Sequence, residues 1–207
     1  MSGSAPRVII ISGPSGSGKS TLVQKLQDLP GVMFSTSSTT RPARGTESPG
    51  KWYDFITEAE FKHRIASGEF LEYAQVFGKH WYGTPRRQLE EARRAGLDLV
   101  LEIDFLGARQ VKQELPDAVA VFIVPPSRQD LERRLRARGQ DSEEAIALRL
   151  ERARQELACS AEYDFVVVND DLDRAGRELC AIVIASRCRR RDKDDRLHKI
   201  LESFGGS

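Results

Sequence analysis

Gly13-Pro14-Ser15-Gly16-Ser17-Gly18-Lys19-Ser20 meets every fixed position of the phosphate-loop spacing G-x-x-x-x-G-K-[ST]. Upstream, Val8-Ile9-Ile10-Ile11 is an unbroken β-branched run, the pattern of a buried strand. Downstream, Thr21-Leu22-Val23-Gln24-Lys25-Leu26 sets apolar residues at helical spacing. Strand, glycine-rich turn and helix start are the three parts such a loop requires. Glycines let the backbone curl until successive N–H groups face phosphate oxygens. The positive end of the helix favours the anion further. In this arrangement Lys19 reaches the β- and γ-phosphates and the Ser20 hydroxyl ligates Mg²⁺.

The chain has 207 residues, enough for one domain with a sizeable core and smaller appendages. Its 40% hydrophobic and 30% charged content suits a soluble globular protein. A formal net charge of +1 excludes a polyanion binder that works by bulk charge, so no nucleic-acid partner is expected. The three cysteines, Cys159, Cys180 and Cys188, form no C-x-x-C pair and read as free thiols in a reducing compartment. His63, His80 and His198 lack ligand-like spacing, which argues against a zinc site. No apolar run reaches membrane-spanning length, and residues 1–6 carry no secretion pattern. A cytoplasmic protein with no membrane partner is the expectation.

Along the chain, the first helix stops at Asp28-Leu29-Pro30-Gly31 and a strand follows over Val32–Ser37. A polar, arginine-bearing stretch then leads to a strand at Trp52–Ile56. Thr57 caps a helix through Phe61 and Ile65 that ends at Gly68. Glu69–Val76 reads as a strand and Gly78–Gly83 as a hairpin turn region. Pro85 is placed to open a helix over Arg87–Ala95, stopped by Gly96. Leu97–Asp104 and Ala118–Val124 read as buried strands around a helix at Leu106–Glu114. A charged helical pair fills Ser127–Leu157, with Ser142 capping its second member. Phe165–Val168 is the last strand and Leu172 begins the last helix. Alternating strands and helices predict an α/β fold with a mostly parallel sheet covered on both faces. The basic cluster Arg187-Cys188-Arg189-Arg190-Arg191 reads as a solvated helix end.

A phosphate loop alone leaves the function open. There is no N-K-x-D guanine motif here, and arginine-bearing sections stand on both sides of the core, which suits transfer between two phosphate-bearing ligands. Six motifs then carry a resemblance, in order and at family spacing. They are Gly13–Thr21, Ser37-Ser38-Thr39-Thr40-Arg41-Pro42-Ala43-Arg44, Glu69-Phe70-Leu71-Glu72, Trp81-Tyr82-Gly83-Thr84, Glu102-Ile103-Asp104 and Val167–Asp171. The chain resembles the guanylate kinases from about residue 6 to about residue 187, and Arg138–Glu144 and Ala161–Asp164 are most similar to the bacterial form. The resemblance implies the P-loop nucleoside-monophosphate-kinase fold: a core (6–36, 85–126 and 158–187), a β-rich GMP-binding insert (37–84), a helical lid (127–157) and a tail (188–207).

It further implies the reaction ATP + GMP giving ADP + GDP, with dGMP as a second acceptor, in purine nucleotide metabolism and GMP recycling. ATP would be held by Gly13, Pro14, Ser15, Gly16, Ser17, Gly18, Lys19, Ser20 and Thr21, with Asn169 near the adenine. GMP contacts map to Ser37, Arg41, Arg44, Tyr53, Glu72, Tyr82, Thr84 and Asp104. Catalysis would fall to Lys19, Arg41 and the lid arginines Arg134, Arg138 and Arg149. Mg²⁺ would sit by Ser20 and Asp104, although Asp104 serves equally well as a GMP contact, and both roles stay open. Two positions depart from the family pattern: Glu102 where aspartate is common and Trp81 where tyrosine is common.

These residue types suit that chemistry. Guanine presents N1–H and the N2 amino group side by side, and one carboxylate such as Glu72 accepts both. Ser37 can donate to O6, where adenine carries an amino group. The wrong base then leaves buried polar groups unpaired, which discriminates strongly. Arg41 and Arg44 offer planar forks to a phosphate, and Tyr53 and Tyr82 offer hydroxyls. The acceptor phosphate is already a nucleophile, so no general base is required, and catalysis is positioning plus charge neutralisation. Two rival readings remain at this level: a catalytically dead protein-binding module, and a kinase for another nucleoside monophosphate. A homo-oligomer is also left open.

Overall fold

The computed structural model describes residues 6–43, 45, 47–48, 50, 52–76, 78–137, 139, 142–189 and 194–205. Unbroken apolar runs suit strands covered on both faces, and those at residues 8–11, 99–101 and 119–124 take the interior places. β1 (Val8–Ser12), β7 (Asp98–Glu102) and β8 (Val119–Val124) sit at the centre of a five-stranded sheet ordered β2-β7-β1-β8-β9, where β2 is Val32–Phe34 and β9 is Phe165–Val168. Every pairing in it is parallel. Ile9, Ile10 and Ile11 are fully buried, each contributing about 1.5–3 kcal/mol of apolar burial.

Alternate residues along β1 supply two cores. Ile9 and Ile11 face α1 (Lys19–Lys25) and α7 (Leu172–Ser186). Val8 and Ile10 face α3 (Arg87–Ala95) and α4 (Phe105–Glu114). Edge strand β9 buries Val167 and leaves Val166 and Val168 exposed. At the base of the sheet, buried Asp98 accepts from the Arg7 backbone N–H at 3.0 Å and from Arg187 Nε at 2.8 Å.

A second sheet, ordered β4-β3-β6-β5, is built from β3 (Ser37–Thr39), β4 (Tyr53–Phe55), β5 (Phe70–Val76) and β6 (His80–Pro85). β3 and β4 are parallel, while β6 is antiparallel to both β3 and β5. α2 (Glu58–Ala66) covers it, with buried Phe61 stacked on Phe70 at 4.5 Å and on Trp81 at 5.8 Å. Thr57 Oγ1 accepts from the Glu60 N–H as the N-cap of α2. Two glutamines fasten this sheet to the rest. Gln88, on α3, accepts from the Thr36 N–H at 2.8 Å and donates to the Thr36 carbonyl at 2.6 Å. Gln110, on α4, accepts from the Tyr73 N–H at 3.1 Å and donates to the Tyr73 carbonyl at 2.8 Å.

α5 (Arg128–Ala137) and α6 (Glu143–Ala158) have their own small core of Leu131, Leu135, Ile146, Leu150 and Ala153. A 3₁₀ turn at Cys159–Glu162 follows, and α8 (Asp194–Ser203) lies beyond α7. The cysteines are free thiols. No helix among the described residues is long and apolar enough to cross a membrane.

Several sequence expectations shift. The stretch Val32–Ser37 is two strands in two sheets, because the Ser35 N–H still bonds the Val100 carbonyl while Ser37 already bonds Trp52. Residues 80–83 belong to a strand rather than a hairpin turn, since Lys79 closes the turn on the Val76 carbonyl. Pro85 ends that strand instead of opening α3. Asp104 lies outside β7 and caps α4, its side chain accepting from the Gly107 N–H.

Candidate active site

The phosphate loop is shaped by what surrounds it. A Cβ on Gly13, at φ +144°, would lie 2.1 Å from the Ile123 carbonyl oxygen, so the loop can leave β1 this close to β8 only as glycine. Gly18 caps α1 in the left-handed region, with no side-chain cap and no acidic residue in the first turn, which suits an anion there. Thr21 is exposed beside it. Lys19 Nζ folds back onto the carbonyls of Gly13 and Pro14. Ser20 Oγ donates to Glu102 Oε1 at 2.7 Å, so the residue that departs from the family pattern touches the serine nominated for Mg²⁺.

Three other nominated residues converge on the same loop. The buried Asn169 amide donates to the Ser17 carbonyl at 2.7 Å. Arg134 donates to the same carbonyl at 3.1 Å and to the Asn169 carbonyl at 2.7 Å. Arg149 Nη1 donates to Ser15 Oγ at 2.8 Å. Asn169 thus spends its amide on the loop backbone. Arg138 and Arg44, two nominated arginines, lie outside the described residues.

Facing the loop is a cleft with two compartments of about 300 Å³ each. Both are lined by Ser20, Ser37, Tyr53, Tyr82 and Glu102, so they run into one another. One also holds Lys19, Glu72 and Asp104, and the other holds Arg41. Glu72, on β5, is 4% exposed, and Thr84, on β6, donates to its Oε1 at 2.7 Å. Burial raises the Glu72 carboxyl to about 7, the Thr84 hydroxyl opposes the rise and nearby Asp104 adds to it. Asp104 keeps one carboxylate oxygen buried with no partner, while the other caps α4 at 2.9 Å. Such an orphaned acceptor suits a donor arriving on a ligand. Ser37 is buried at the start of β3, where it pairs with Tyr53. Tyr53 and Tyr82 meet edge to face at 5.9 Å, and burial pushes the Tyr53 hydroxyl up to about 12, so it stays a donor.

The Arg41 guanidinium lies over the Tyr53 ring at 5.1 Å and is bound by both Glu47 oxygens, at 2.8 and 3.1 Å. Glu47 first, and the Tyr82 hydroxyl further, hold that cation charged. Sequence reasoning passed over Glu47, and over Arg152 and Glu156 in the compartment of Lys19. The last two form an i,i+4 pair at 3.1 Å on α6. A signal existed, because residues 149, 152 and 156 share one helix face. Burial raises the Glu156 carboxyl, against the attraction of Lys19 and Arg152.

Comparison with known proteins points to one family. A family model described as guanylate kinase matches residues 5–186. The chain is 49% identical over 183 residues to the guanylate kinase of Symbiobacterium thermophilum, covering 88% of this chain and 86% of the relative. It is 48% identical over 198 residues to that of Methylococcus capsulatus, covering 95% and 97%. Among solved structures, the guanylate kinase from Anaplasma phagocytophilum superposes with a TM-score of 0.79 at 31% identity, over 98% of this chain and 97% of that one. Matches of that length and identity, on a chain whose phosphate loop is intact, establish that this protein belongs to the guanylate kinase family.

Proposed function

We propose that this chain transfers the γ-phosphoryl group of ATP to GMP, and also to dGMP, in a cytoplasmic setting. The observation that carries this reading is the continuity of the cleft: the phosphate loop and the buried Glu72 carboxylate line one compartment, which opens into the one holding Arg41. A phosphate donor and a base-bearing acceptor then fit end to end. Residues 37–84 serve as the acceptor insert, 127–157 as a lid, and 6–36, 85–126 and 158–187 as the core.

In this scheme Glu72 accepts from guanine N1–H and the N2 amino group, with Thr84 fixing its other side, and Ser37 donates to O6. The orphaned oxygen of Asp104 takes a further donor from GMP. Arg41, with Arg44 beside it in sequence, meets the acceptor phosphate together with Tyr53 and Tyr82. Lys19 leaves its loop carbonyls for the β- and γ-phosphates of ATP, within the Gly13–Thr21 loop. A GMP phosphate oxygen forms the new bond to the γ-phosphorus as the bond to the β,γ-bridging oxygen of ATP breaks, and ADP departs. Arg134, Arg138 and Arg149 neutralise the crowded anions.

The Ser20 hydroxyl and the Glu102 carboxylate, 2.7 Å apart, are an oxygen-only donor set that fits Mg²⁺. When bound, that ion would supply charge neutralisation on the β- and γ-phosphates. The test is turnover with Mg-ATP and each of GMP, dGMP, AMP, CMP and UMP. Activity confined to the guanine acceptors supports the proposal. Preference for AMP, or no turnover at all, refutes it.

A further inference from the structure

Glycine is the poorest helix former after proline, yet Gly107 stands in the first turn of α4 with no left-handed backbone to require it. What it faces gives the reason. A Cβ on Gly107 would lie 2.3 Å from Glu72 Oε2 and 3.1 Å from Glu72 Cδ. The Glu72 carboxylate therefore rests against bare helix backbone on one side while Thr84 holds it on the other. One turn further along the same helix, Gln110 bonds both backbone groups of Tyr73, the residue after Glu72. β5 is an edge strand of its sheet, so this amide takes the place of a missing neighbour strand.

We propose that Gly107 and Gln110 of α4 are positioning residues for acceptor choice, clamping β5 so that the Glu72 carboxylate meets the base squarely. The inference rests on the base-reading role given to Glu72 above. A methyl group at position 107 has no room beside Oε2. Because that oxygen ends a flexible side chain that borders the cleft, the side chain swings into the space the base needs, and the fold itself survives.

The experiment measures steady-state kinetics and thermal melting of the full chain and of Gly107→Ala, Gln110→Ala and Glu72→Gln, with ATP and with GMP or IMP. IMP lacks the N2 amino group, so the GMP-to-IMP preference reads the carboxylate contact directly. For Gly107→Ala the expected result is a KM for GMP raised about tenfold, with the KM for ATP within about twofold. The GMP-to-IMP preference should collapse while the melting temperature holds or rises. Gln110→Ala should raise the KM for GMP about threefold or more in the same pattern, and it serves as the test if Gly107→Ala does not fold. Unchanged GMP kinetics and preference in the readable variants overturn the clamp, provided Glu72→Gln loses that preference. If Glu72→Gln keeps it, the base-reading role itself fails and the clamp goes with it.

Discussion

At the scale of single residues, Glu72 makes the sharpest prediction. A carboxyl raised to about 7 is substantially protonated at neutral pH in the empty cleft, and only the ionised form accepts both guanine donors. The KM for GMP should therefore climb as pH falls below about 7, while the KM for ATP stays flat. Kinetics between pH 5.5 and 8.5 decide this, and parallel changes in both constants would refute it. The same shift acts on stability with the opposite sense. Burying this acid contributes stability below its ordinary value near 4.5, and that contribution is lost as pH rises through about 7. Lys19→Ala should lower kcat about 100-fold or more with every acceptor, since its charge serves the transferring group and not the base. Glu72→Gln should damage GMP use and spare ATP binding, as isothermal titration with each nucleotide would show.

Residues at this scale were legible in the sequence where one short segment carries the chemistry. Gly13, Lys19 and Ser20 announce themselves by spacing. Glu47 did not, because its role rests on side-chain bonds to Arg41 that spacing alone does not reveal. Gly107 and Gln110 did not, because what they touch, the Glu72 carboxylate and the Tyr73 backbone, lies on β5, and nothing local to α4 points to it.

Elements were legible to the degree that burial dictates pattern. The unbroken apolar runs of β1 and β8 gave their strands away, since no other element tolerates so many β-branched residues in a row. The second sheet was harder. β3 and β4 are only three residues long, and polar residues stand along β5 and β6, so Pro85 looked like a helix opener when it closes β6. The base of the main sheet depends on charge that periodicity does not reveal. Asp98 is buried between the Arg7 backbone and the Arg187 side chain, whose fork also reaches the Pro30 carbonyl at 2.9 Å. Asp98→Ala would take the acceptor from the buried Arg7 N–H and the counter-ion from the half-buried Arg187 side chain and should cost about 2 kcal/mol. Chemical denaturation should show the loss, with KM values for both nucleotides unchanged. At the other end of the sheet, Asn169 follows β9 and grips the phosphate loop through the Ser17 carbonyl. Asn169→Ala should raise the KM for ATP about tenfold and leave the KM for GMP near its starting value.

For the molecule as a whole, the small core under α5 and α6 is separate from the two that flank the main sheet. Few buried side chains hold that pair together, so its amides should open more readily than those of β1, β7 and β8. Hydrogen exchange should be fast across α5 and α6 in the free protein. It should slow there when GMP and an unreactive ATP analogue bind together, and much less with either alone. Equal protection with one nucleotide would contradict closure over both. The second sheet and the α5–α6 pair could be anticipated from the order of elements along the chain, but the glutamine fasteners at Thr36 and Tyr73 could not.

The bond pair between Gln88 and Thr36 has a consequence for how such a chain can change over time. The backbone sets out on its excursion at Thr36 and is home again by Gln88, and one amide stitches the two points together. The length of chain looped between them can vary with little effect on the strands of the main sheet, so long as the contacts of β5 with α4 are kept. On the proposed function, a change of acceptor would therefore have to alter this segment together with the α4 face it rests on, at Gly107 and Gln110.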